Sequence, residues 1–94
     1  MAVRILLPTA LQRYAGGREE VRVEAATVGD ALRELVANEP QLGSHLLDGQ
    51  GNIRSFVNVY LGDEDTRFLD GPDTPVKPDD TLTIVPSIAG GSKA

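Results

Sequence analysis

A single helical pattern is set among segments whose apolar residues alternate, and that mixture constrains the fold more than any other feature. Val28, Ala31, Leu32, Leu35 and Val36 recur at the spacing of one helix face. Thr27 stands in the N-cap position with Asp30 three residues on, a relative of the capping box, and Asn38 and Pro40 stop the helix. On both sides the period is two. Val3, Ile5 and Leu7 form a first, mostly buried strand closed by Pro8, and Val21 and Val23 alternate with Glu20, Arg22 and Glu24 in a second strand with one wet face. Residues 56–61 and 81–85 read as further apolar strands. An amphipathic helix has one face to bury, and these strands supply the sheet that buries it.

The remaining punctuation completes the order. Gly16 and Gly17 mark a turn, which makes the first two strands hairpin partners. Leu42, Leu46 and Leu47 fit a short second helix, followed by a loop at residues 48–52. Asp63, Glu64 and Asp65 turn the chain, and Thr66, Arg67 and Phe68 read as a short edge strand. Gly71, Pro72, Pro75 and Pro78 keep the next stretch irregular, with Val76 anchoring it to the core. A hairpin, a helix across one sheet face and then further strands is the α+β arrangement called β-grasp, or ubiquitin-like. The expected sheet is mixed, with about five strands. Its first and last strands form a central parallel pair, because strands buried on both faces lose clean alternation. Residues 1–87 make the domain and residues 88–94 a flexible tail.

Composition excludes much chemistry. The 94 residues contain no cysteine, which rules out disulfides, thiolate metal sites, iron–sulfur ligation and a cysteine nucleophile. A lone histidine, His45, leaves no zinc set and no Ser-His-Asp constellation; it reads as a helix-surface residue. The run Asp63, Glu64, Asp65 is a solvated loop rather than a metal site. Asn58, inside an apolar run, needs its amide satisfied by a neighbouring loop, and Tyr14 and Tyr60 are packing residues with surface hydroxyls. A net charge of −5 opposes a nucleic-acid surface and favours basic protein partners. The apolar stretch after Arg4 is cut short by Pro8 and Arg13, so it is no signal peptide, and no segment is long enough to span a membrane. The expected location is the cytoplasm.

The last strand is followed at once by Ile88, Ala89, Gly90 and Gly91, with Ser92, Lys93 and Ala94 behind them. Glycines lack Cβ, so such a tail threads a narrow cleft, and from Ser87 to Gly91 it reaches roughly 13–17 Å when extended. A frayed small-residue terminus is the bland alternative. Three blocks weigh against it: Pro8, Thr9 and Leu11 leading to Gly16 and Gly17; Phe56, Val57, Asn58, Val59 and Tyr60 with Asp63, Glu64, Asp65, Arg67 and Phe68 behind; and Thr83, Ile84, Val85 and Pro86 before Ala89, Gly90 and Gly91. In that order they resemble the ubiquitin-like sulfur carriers of the MoaD/ThiS family, and most of all its cysteine-pathway branch.

The resemblance implies a carrier and cosubstrate rather than an enzyme, with no bound cofactor and no metal. An E1-like enzyme would use ATP to adenylate Gly91, and a sulfur donor would convert it to a thiocarboxylate. Ile88, Ala89 and Gly90 would enter the partner's active site. The resemblance further implies a sulfur-accepting biosynthetic enzyme, a pyridoxal-phosphate enzyme in the cysteine branch. Phe68, which by composition alone could simply be core, would lie on the sheet face where the family docks its activating enzyme. Family members that act directly end at the second glycine. The three extra residues therefore imply a precursor cut after Gly91 by a zinc metalloprotease, the alternative being a harmless extension. Two other functions share the same tail: a protein modifier joined to lysines through Gly91, and the small subunit of molybdopterin synthase.

Overall fold

The computed structural model describes residues 2–50, 52–54 and 57–86. Five strands, β1 (Val3–Leu6), β2 (Glu20–Val23), β3 (Val57–Leu61), β4 (Glu64–Asp65) and β5 (Thr81–Pro86), form one sheet in the order β2-β1-β5-β3-β4. Three helices, α1 (Thr9–Gln12), α2 (Val28–Asn38) and α3 (Gly43–Leu46), complete the β-grasp. The first and last strands are the parallel pair, with Ile5 beside Leu82, and every other pairing is antiparallel. Alternation sends Ile5, Val59, Leu82 and Ile84 to the face that α2 covers, and α2 meets them with Val28, Ala31, Leu32 and Leu35, all fully buried.

The helix starts and stops as its sequence dictates. Thr27 Oγ1 accepts a hydrogen bond from the Asp30 backbone N–H at 3.1 Å. The Asp30 carboxylate turns outward to Arg33 at 2.7 Å, so half of a capping box is made. Glu39 leaves the helical region, at φ −130° and ψ 78°, because the ring of Pro40 disfavours helix in the residue before it, and α2 ends there. At its other end Gly29 packs so closely on the irregular segment that a Cβ there would sit 3.1 Å from the Pro72 carbonyl oxygen. The Val28 N–H donates to the Thr74 carbonyl at 2.9 Å and the Val76 N–H to that of Ala26 at 3.0 Å, which ties that segment to the helix.

Three expectations are corrected. Gly16 and Gly17 do turn the chain, both at positive φ, but the β1–β2 connection is not a tight hairpin loop. The helix α1 and a 3-10 turn, Arg13–Ala15, fill it, because Leu11 and Ala15 recur four apart and both reach the core. Thr66–Phe68 is a 3-10 turn, and the edge strand is Glu64–Asp65 just before it. Among the described residues the buried Asn58 Oδ1 has no hydrogen-bond partner, and its cross-strand neighbour on β5 is Val85, which has no side-chain donor. His45 is half-buried and stacks on Tyr14 with ring centres 4.2 Å apart, fastening α3 to the turn after α1. Among the described residues no helix is long and apolar enough to cross a membrane.

Candidate functional site

The residues of the tail, Ile88, Ala89, Gly90 and Gly91, lie outside the described residues, but the strand they follow is well placed. β5 is the middle strand of the sheet, bonded to β1 on one side and β3 on the other, and its last residue, Pro86, pairs with Val57. The chain therefore enters the tail from the most thoroughly held strand of the molecule.

The face of the sheet opposite α2 carries Leu6, Thr83, Tyr60 and Asp65 in one row across four strands, as their pairing register requires. Next to this row stands Phe68, 86% exposed. Local chemistry puts it there. Gly62, at φ 61°, supplies the positive φ of a two-residue hairpin loop between Leu61 and Glu64. Asp65 then caps the 3-10 turn: its Oδ1 accepts the Arg67 backbone N–H at 2.9 Å, and its Oδ2 accepts from the Arg67 guanidinium at 3.3 Å. These bonds, the backbone one foremost, hold the Asp65 carboxyl below the usual carboxylate range. The turn buries Thr66, 2% exposed, and points Phe68 outward. Phe68 is thus a surface residue, in a groove of about 390 Å³ shared with Tyr60, Asp63, Glu64, Asp65 and Leu69. The sequence singles out Phe68, Tyr60 and the run Asp63, Glu64, Asp65 separately, but not that they border one groove. The available signal is alternation: Asn58 and Tyr60, two apart on β3, share the helix-free face, and Tyr60 pairs there with Asp65.

The far end of the same face is differently charged. Arg4 and Arg22 stand directly opposite one another on β1 and β2, with Glu20 between them at 3.8 Å and 2.7 Å. The hydrogen bond from Arg22, ahead of the charge of either arginine, holds the Glu20 carboxyl below its ordinary range. On the helix side a groove of about 350 Å³ is lined by Ile53, Val57, Val59, Thr66 and Pro72 among others, with no carboxylate or histidine among its described lining residues. Among the described residues no group of three or more histidines and carboxylates is placed to hold a metal ion.

Known proteins share this architecture along nearly the whole chain. Residues 5–91 match the ThiS family. The sulfur carrier protein CysO of Mycobacterium tuberculosis is 37% identical over 93 residues, covering 97% of this chain and 100% of that protein. The crystal structure of the Amycolatopsis orientalis BexX/CysO complex contains a chain 37% identical, with a TM-score of 0.86 over 96% of this chain and 100% of that one. SAMP1 from Haloferax volcanii, 30% identical, superposes with a TM-score of 0.83 over 97% of this chain and 100% of that one. In sequence and in fold, the chain belongs to the ThiS family of ubiquitin-like proteins.

Proposed function

We propose that this chain is a sulfur carrier whose working residue is Gly91. The observation that supports it most is where the family match stops: it runs through residue 91 and leaves Ser92, Lys93 and Ala94 beyond it. In the proposed cycle a zinc metalloprotease first removes those three residues. The freed Gly91 carboxylate attacks the α-phosphate of ATP on an E1-like enzyme, and pyrophosphate leaves. A sulfur donor then attacks the acyl carbon, AMP leaves, and a thiocarboxylate remains. Its anionic sulfur is the nucleophile, so the absence of cysteine from the carrier is no obstacle. Ile88, Ala89 and Gly90 occupy the partner's cleft, and Phe68 with its exposed ring is the docking contact on the helix-free face. The acceptor is a biosynthetic enzyme in the cytoplasm, and it sets the product: cysteine, through a pyridoxal-phosphate enzyme, or another sulfur-containing metabolite. CysO crystallised as a complex with BexX supports a carrier that works by docking.

The likeness to SAMP1, a small archaeal modifier protein, supports a second reading in which Gly91 is joined to lysines of other proteins. One experiment separates the two. Full-length protein and a form ending at Gly91 are incubated with an E1-like enzyme, ATP and sulfide, and intact mass is recorded. Exchange of one oxygen for sulfur in the trimmed form alone supports the carrier and its processing. Equal loading of the full-length form, with no protease present, removes the precursor step. Lysine-linked conjugates in cell extract without sulfur loading favour the modifier.

A further inference from the structure

The groove beside Phe68 has a chemical character of its own. Two aromatic rings, Tyr60 and Phe68, border it together with three carboxylates. Asp65 is already occupied by Arg67. Among the described residues Asp63 and Glu64 have no ion-pair partner, and both are exposed. An apolar wall next to uncompensated negative charge suits a cation with a flat, weakly hydrated head. Guanidinium meets that description: it stacks on aromatic rings and donates in a fork to carboxylates, whereas ammonium is a compact, strongly hydrated charge. The opposite end of the face, with Arg4 and Arg22, disfavours a cation. A basic partner is therefore drawn to the β3–β4 end.

Position supports the same occupant. Val57 pairs with Pro86, where the tail departs, and Tyr60 lies three residues further along β3, roughly 10 Å away at the usual strand rise. A partner side chain held there grips the carrier without obstructing the reacting terminus. We propose that the groove between Tyr60, Phe68, Asp63 and Glu64 receives an arginine side chain of the enzyme that activates the carrier. This rests on the carrier reading above.

Two measurements test it. In the first, N-acetyl-arginine amide is titrated into the isotope-labelled full chain and followed by NMR, with the citrulline analogue as the uncharged control. Saturable shifts at Tyr60, Asp63, Glu64 and Phe68 are expected for arginine. They should be at least about tenfold weaker for citrulline and for the Asp63→Asn/Glu64→Gln double variant. Equal shifts from citrulline, or shifts elsewhere on the surface, overturn the site. In the second, the double variant and the wild type, each in the form ending at Gly91, are offered to the E1-like enzyme. The variant's KM should rise about tenfold at low salt with kcat unchanged, and the gap should close as salt is added. Asp63→Glu should retain most of the affinity. An unchanged KM overturns the assignment to the activating enzyme. Should the enzyme fail to adenylate even the wild-type form ending at Gly91, the carrier reading falls, and the arginine titration still decides the site.

Discussion

Replacing Phe68 by alanine should leave the fold almost untouched and damage docking severely. A phenylalanine buries roughly 200 Å² when fully enclosed. At 86% exposure only about a seventh of that is removed from water, worth about 0.7 kcal/mol at ~25 cal/mol per Å². For a domain of this size that corresponds to a melting shift of about 3–6 °C. The exposed remainder, roughly 170 Å², sets an upper limit of about 4 kcal/mol if a partner covers it completely. Aromatic anchors in protein interfaces commonly cost about 2–4 kcal/mol on truncation, so KM for the carrier in ATP–pyrophosphate exchange should rise roughly 30-fold or more. On the carrier reading kcat should hold, because the reacting carboxylate would be that of Gly91. A fall in melting temperature beyond about 10 °C would show that the ring is packed rather than free. Unchanged KM and unchanged melting together would mean that the activating enzyme uses another surface.

Leu32→Ala, by contrast, empties the buried face of α2 and should cost about 2–5 kcal/mol in denaturant unfolding; a cost near zero would refute the packing described for that helix. Acid should weaken the fold through Glu20 and Asp65, whose carboxyls are both held low in the folded state. Their contribution is complete at neutral pH and is lost as pH falls below about 4 through the folded values, so Asp65→Asn should flatten the acid limb of a melting-temperature profile, and an unchanged limb would contradict the Arg67 cap.

What was legible in the sequence was whatever long patterns specify. The α2 segment combines a cap, a continuous apolar stripe and a proline stop, so local and tertiary preferences agree. The parallel pairing of β1 and β5 followed from strands apolar enough to be buried on both sides. Short elements were not legible. Four residues of α1 are too few to show a period, and only the spacing of Leu11 and Ala15 hinted at it. At residues 66–68 the apolar and β-branched composition suggested a strand, but an aspartate two residues before a backbone N–H is a turn former, and that bond prevailed. The exposure of Phe68 is a consequence of that turn. No hydropathy pattern could report it.

On the carrier reading, the same arrangement lets the chain serve partners that supply the catalytic groups. β5 is anchored on both sides, with Leu82 and Ile84 in the core, so a tail drawn into a cleft pulls on the strand least able to come away. The groove beside Phe68 belongs to β3 and the turn beyond β4, bonded to β5 through the β3 ladder. Groove and tail root therefore move as one body, and a partner that grips Phe68 also fixes where the tail begins. From Pro86 to Gly91 the chain extends at most about 18 Å. On the carrier reading, an active site that takes up Gly91 must lie within that reach of the end of β5, on the side where the helix-free face is held. On that reading specificity rests with the groove beside Phe68 and chemistry with the partner, and a carrier that is small, acidic and free of cysteine takes part in sulfur transfer.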